Sequence, residues 1–160
     1  MAEPVRERIQ ASLLAALQQI TIANGYTTTF LDVRALPLGP DAPQVQYPAV
    51  GLHDVDDVPI GEREGALNFE TRELGVVIEF WVAEEAGVAL RTTRNRAFAD
   101  IYRALLVDPY RGGDALDTVL GPAVAINDSE ITRSHVPALA GMEVRYTCGY
   151  RTSLGDATAP

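Results

Sequence analysis

The alternation of apolar and polar positions is clearest between Phe69 and Leu106. From Glu70 to Val82, Leu74, Val76, Ile78, Phe80 and Val82 fall on one side, and Glu73, Gly75, Val77, Glu79 and Trp81 fall on the other. A period of two predicts a pleated strand with one buried face. From about Val88 to Val107 the period lengthens, and Leu90, Ala97, Phe98, Ile101, Ala104 and Leu105 share one arc at about 100° per residue. That spacing predicts a helix with one oily side. A strand and a helix of this kind, adjacent in sequence, bury their apolar sides against each other.

The rest of the chain supplies elements to join them. Val5, Ile9, Leu13, Ala16, Leu17 and Ile20 recur at helical spacing behind Pro4, which predicts a helix from Pro4 to Ala23 stopped by Asn24-Gly25. Ala11, Leu14, Ala15 and Ile22 form a smaller apolar strip on its opposite side. The β-formers of Tyr26 to Arg34 predict a strand, and Leu36 to Tyr47, with three prolines, a loop. Pro48 to Val55 reads as a second strand, because proline fits its first position. Asp56 to Asn68 reads as a long hairpin loop. After the second helix, Asp108 to Gly113 is a turn, and Asp114 is placed to cap a short helix through Leu120, which Gly121-Pro122 would end. Ala123 to Arg133, interrupted at Asn127-Asp128-Ser129, and Leu139 to Arg151 are the last two strands. In the final strand Met142, Val144, Tyr146, Cys148 and Tyr150 share one face.

The order helix, three strands, helix, two strands predicts an α+β fold: a mostly antiparallel sheet of about five strands with two main helices on one face. Residues 1–151 form a single domain in this reading, and 152–160 a flexible tail. A chain of 160 residues can bury a core of its own. No apolar run approaches the roughly 18 residues that span a bilayer, and the mixed charge of the first residues predicts no secretory leader.

Charge changes the picture more than composition does. The net charge is −9, and all 13 basic residues are arginine. Asp54 to Glu85 holds ten acids and two arginines, a balance of −8; Val88 to Arg111 holds five arginines and two aspartates, a balance of +3. An acidic lobe beside a basic helix offers two patches through which copies of one chain can attract each other; two solvated faces are the plainer reading. Overall acidity argues against phosphate-backbone binding as the main task.

Candidate chemistry is sparse. His53-Asp54-Val55-Asp56-Asp57 has metal-ligand residue types, but strand alternation separates His53 from Asp54, and it reads as a solvated strand end. Ser134-His135 are adjacent rather than arranged as nucleophile and base, and Gly112-Gly113 lacks the Lys-Ser/Thr of a phosphate loop. Cys148 is in phase with Met142 and Val144, as a core thiol is, and a single cysteine excludes an internal disulfide. Arg94 projects near the centre of the second helix's apolar arc. It either snorkels past the sheet or pairs with a buried acid or a neighbouring subunit. Arg96, Asp100 and Arg103 read as a charge ladder on the outer face. No catalytic constellation, metal site or cofactor site emerges, so the chain reads as a non-enzyme.

The order of these elements resembles a known family. A helix, Gly25-Tyr26 with a threonine-rich strand, Val33-Arg34, a proline-rich loop and Tyr47-Pro48-Ala49-Val50 come first. A long loop, a long acidic-apolar strand, an arginine-rich helix and a closing strand with Glu143-Val144-Arg145-Tyr146-Thr147 follow. This pattern is similar to the tail terminator (tail completion, or minor tail) proteins of long-tailed bacteriophages, over Val5 to about Arg151. The resemblance implies a virion protein, assembled in the host cytoplasm, that forms a hexameric ring at the head-proximal end of the tail tube. Such a ring stops tube polymerisation and presents a surface to the head connector. The implied partners are further copies of the chain, the tail tube protein and the head–tail connector or neck protein, with DNA only as cargo passing through the lumen. A ring needs one patch that fits a different patch on the next copy. The candidates are Leu14 on the first helix; Asp56, Asp57, Glu62 and Glu64 in the loop, for contact with tube or lumen; and Arg94, Arg96 and Arg103 on the second helix. Another neck or head-closure protein, and a small ligand-binding α+β domain, remain the alternatives.

Overall fold

The computed structural model describes residues 3–35, 38, 45–60, 69–126 and 138–153. The elements are α1 (Val5–Gln18), β1 (Asp32–Arg34), β2 (Ala49–Pro59), β3 (Phe69–Ala83), α2 (Leu90–Leu106), β4 (Asp117–Ile126) and β5 (Leu139–Ser153), with short 3-10 turns at Ile22–Asn24 and Arg111–Gly113. The strands form one sheet in the order β1-β2-β3-β5-β4. The β1–β2 pair is parallel and the other pairs are antiparallel. This is the α+β fold expected, and both helices lie on one face.

The alternation of β3 determines that layering. Leu74, Val76, Ile78, Phe80 and Val82 are buried with Val50 and Leu52 of β2 and with Val144, Tyr146, Cys148 and Tyr150 of β5. Onto this surface α1 packs Val5, Ile9, Leu13 and Leu17, and α2 packs Ala97, Ile101, Ala104 and Leu105. β3 pairs with β5 from Phe69↔Ser153 to Ala83↔Leu139. Β5 therefore runs two residues beyond Arg151, and the tail expected from residue 152 begins in the sheet.

The first helix is shorter than its periodicity predicts. It stops at Gln18, because Thr21 turns to extended backbone (φ −138°) and caps the 3-10 turn by accepting from the Asn24 N–H. Gly25, at φ 80°, ends that turn rather than the α-helix.

The expected strand from Tyr26 to Arg34 contracts to its last three residues. Its backbone donors go elsewhere: the Thr27 and Thr28 N–H groups donate to the Asp100 carboxylate at 2.9 and 2.8 Å, and the Thr27 hydroxyl donates at 2.6 Å. An N–H held by a side chain is not free for a sheet ladder. This also corrects the reading of Asp100, which is buried on the core side of α2 and not part of an outer ladder. Arg103 points to the same segment, with its guanidinium 4.0 Å over the Tyr26 ring and donating to the Gly25 carbonyl at 2.7 Å. The Thr-rich segment and α2 are thus bolted together by one carboxylate and one cation.

Two further expectations are corrected. Β2 continues through Asp56 and Asp57 to Pro59, so these acids lie in a strand paired with Leu74 and Gly75 and not in a loop. Strand β4 begins at Asp117, where a short helix was expected. Gly121-Pro122 falls at a break in the β4–β5 register between Leu120 and Ala123, which is where an edge strand tolerates the missing N–H of proline. The interruption expected at Asn127 to Ser129, and Ser134-His135, lie outside the described residues.

A second, smaller cluster covers one end of the opposite sheet face: Leu38, Ala49, Trp81 and Leu139, with Val45 and Tyr47 against them. There the Trp81 indole lies on Gly141, where an added Cβ would come within 2.9 Å of three ring atoms.

Replacing Asp100 with alanine strands two backbone donors and is expected to lower the unfolding free energy by about 3 kcal/mol. Arg96→Ala, on the exposed side of the same helix, should cost less than about 0.5 kcal/mol. Urea denaturation of the two variants checks the contrast.

Candidate interaction surfaces

The acids of β2 are distributed by a bulge. Asp54 pairs with Val76 and Asp56 with Gly75, so Val55 is an extra residue in the strand. Without it Asp54 and Asp56 would share a face. With it, Asp54 and Asp57 face the helices and Asp56 faces the other way. Asp54 accepts from Arg6 and Gln10 of α1. Asp57 binds Arg72 at 2.8 Å and accepts from the Tyr150 hydroxyl at 2.9 Å, with Arg6 3.7 Å away. Burial, with the nearby Asp57, pushes the Tyr150 hydroxyl up to about 12. Asp56 pairs with Arg145 at 2.7 Å, across Gly75, where a Cβ would collide with the Asp56 carboxylate.

So Asp56 and Asp57, expected to reach outward from a loop, are held within the chain by Arg145 and by Arg72 and Tyr150. Glu62 and Glu64 lie outside the described residues. Leu14 is half-buried against the main core, which leaves Ala11, Ala15 and Ile22 as the exposed part of that strip.

The arginines of α2 divide differently. Arg103 is engaged by Tyr26 and Gly25. Arg91 and Arg96 are exposed, Arg94 is half-buried with its Nε enclosed and unpartnered, and none of the three has an acid partner among the described residues. The helix also begins without a side-chain cap or an acid in its first turn. Unpaired cations near a helix N-terminus oppose the helix dipole, so this half of α2 is strongly electropositive.

Beyond the small Trp81 cluster, the face of the sheet opposite the helices carries polar and small residues together with Val77, Val119 and Val124. Register places Gly51, Glu79, Glu143 and Val124 in one row across β2, β3, β5 and β4. Glu79 is 7% exposed, accepts from the Trp81 Nε1–H at 2.5 Å, and stands directly opposite Glu143. Burial holds the Glu79 carboxyl above its usual range; the Trp81 hydrogen bond opposes this, Glu143 adds to it, and His53 opposes it. His53, two residues along β2 from Gly51, has an enclosed Nδ1 without a partner. Directly opposed like charges destabilise a strand pair. Their alternating positions were legible in the sequence, but their juxtaposition needed the register.

Between α1 and α2 lies a shallow cleft of about 170 Å³, lined by Ser12, Gln19, Tyr26, Asp108 and Arg111 among others. Arg111 has a left-handed backbone (φ 49°) and is buried. It donates to the Leu105 carbonyl at the end of α2 and sits 5.9 Å from the Tyr146 ring. A cation at a helix C-terminus is favourably placed, so this arrangement explains itself structurally. Cys148 is buried as expected of a core thiol, and burial pushes it up to about 12.

No three metal-ligating side chains come together among the described residues, and no described helix is long and apolar enough to cross a membrane. No protein-family model matches the chain, and no curated protein sequence matches it. The structure therefore defines an α+β domain with a Glu79–Glu143 pair on the open face of its sheet and, on α2 across the sheet, arginines without acid partners among the described residues.

Two outcomes follow for the buried ionisable groups. Because Glu79 is raised in the folded state, its contribution to stability is full below the unfolded carboxyl value and is lost as pH rises through the folded one. Glu79→Gln should therefore melt higher than the wild type near neutral pH, with the gain shrinking as pH falls towards about 4, as thermal melts across that range would register. Cys148 should resist alkylation near neutral pH until the chain is denatured, as read by mass spectrometry with iodoacetamide.

Proposed function

We propose that the protein is a structural assembly protein: a ring-forming tail terminator that caps the head-proximal end of a phage tail tube and joins it to the head connector. The observation that carries this reading is sidedness. Both helices cover one face of the sheet, and the other face keeps an acidic pair that no arginine among the described residues bonds. Arginines without an acid partner among the described residues lie on the far side, on α2. Such a molecule presents unlike surfaces in opposite directions, which is what a head-to-tail ring requires. The element order that resembles the tail terminators supports the same reading. Its partners in this role are its own copies, the tube protein and a neck protein, and no bond is made or broken.

Another neck or head-closure ring would use the same sidedness. A small-ligand-binding domain has the α1–α2 cleft in its favour, but Arg111 there already serves the end of α2.

Electron microscopy of the purified protein, alone and mixed with polymerising tube protein, separates these readings. The expected result is a ring with a central hole, free or seated on tube ends, and shorter tubes when the ring is present. A monomer that neither assembles nor binds tube ends overturns the reading.

A further inference from the structure

The open sheet face and the first half of α2 carry complementary defects. On the sheet, Glu79 and Glu143 oppose each other with no arginine bonded to either among the described residues. The nearest cation on that face, Arg145, is committed to Asp56. On α2, Arg91, Arg94 and Arg96 lack acid partners among the described residues, and Arg94 has an enclosed, unpartnered Nε. The two surfaces are on opposite sides of the sheet, so one chain cannot bring them together.

We propose that the first half of α2 of one copy docks on the open sheet face of a second copy, with the exposed Arg91 and Arg96 neutralising the Glu79–Glu143 pair. This rests on the ring reading above and assigns its interface. Apolar surface is available on both sides. Val124 is the direct neighbour of Glu143 and is 61% exposed, and Val119 on the same face is 56% exposed. Tyr102 and Leu106 are exposed further along α2. A nucleic-acid backbone would satisfy the arginines but leave the carboxylates opposed, whereas a second copy relieves both. The contact joins unlike patches, so its repetition closes a ring when the rotation between copies divides a full turn and otherwise gives a filament.

The test uses charge reversal at exposed positions, where folding is not at risk. Arg91→Glu with Arg96→Glu, and separately Glu143→Arg, should each weaken self-association at least about tenfold in sedimentation velocity, with unchanged circular dichroism. Mixing the two variant proteins in equal amounts should restore a one-to-one contact, because the unaltered α2 of the Glu143→Arg variant meets the unaltered sheet face of the other. Full-length chain carrying Arg96→Cys and Glu143→Cys should oxidise to a ladder of cross-linked oligomers, with the buried Cys148 taking no part. If the wild type forms rings that neither reversal disturbs, the interface lies elsewhere and the ring reading survives. If the wild type does not self-associate, alone or on tube ends, both fall. Association lost in the reversed variants but not regained on mixing also overturns the pairing. So does tight binding of duplex DNA that the α2 reversal abolishes while self-association persists.

Discussion

The structure depends on one strand being flanked along its whole length. Β3 is hydrogen-bonded to β2 on one edge and to β5 on the other, and its apolar face contributes five consecutive alternating residues to the core. Because side chains alternate strictly along a strand, that commitment determines both surfaces of the sheet at once. The helices have one apolar layer to cover, and they cover it. The polar residues alternating with them are left on the other side, including two glutamates that the antiparallel register brings opposite each other. The candidate surface is therefore a consequence of the core, since a register that buries Leu74 and Val144 also pairs Glu79 with Glu143.

This explains which parts of the molecule were legible in the sequence. Β3, β5 and α2 announce themselves through long, regular periods, and their observed limits differ from the expected ones by only a few residues. Β1 was overestimated because Thr27 and Thr28 have strand propensity but give their backbone donors to a carboxylate more than seventy residues away. No local signal carries that contact. Asp100 itself was nearer to legible: it is three residues from Ala97 and four from Ala104, on the buried arc, and its charge alone suggested the outer face. The acids at 56 and 57 suggested a loop because Pro59, Gly61 and Gly65 follow them amid scattered charge. The bulge at Val55, which gives each its own arginine, follows from register and could not be seen in spacing.

The same pairings revise the meaning of the charge asymmetry. The sequence shows an acidic segment followed by a basic helix, and attraction between the two is the natural inference. The acids of β2, however, are occupied at home by Arg6, Arg72 and Arg145. Ion pairs this close and partly enclosed are set by geometry as much as by charge, and they remove Asp54, Asp56 and Asp57 from the pool available to a partner. The residual asymmetry moves to the first half of α2 on one side and to the far face of β3 and β5 on the other. Net charge by segment, which gave the expectation, does not register this displacement, because it counts charges without asking which are already paired.

Like charges placed directly across two strands cost stability, and so do arginines at the positive end of a helix dipole. Either defect alone is removable by a single neutral residue that keeps the fold, because Glu143 is exposed and so are Arg91 and Arg96. Both occur in one chain, on surfaces that face apart, and each is the remedy for the other only between molecules. Contacts of this kind add specificity more than raw affinity: they favour the copy that presents the opposite sign and reject the one approaching with the same face. A ring built on them would be held together by the apolar neighbours Val119, Val124, Tyr102 and Leu106 and kept in register by charge. That division of labour would suit a part that must stop growth at one layer, since a face already neutralised has nothing left with which to attract a further copy.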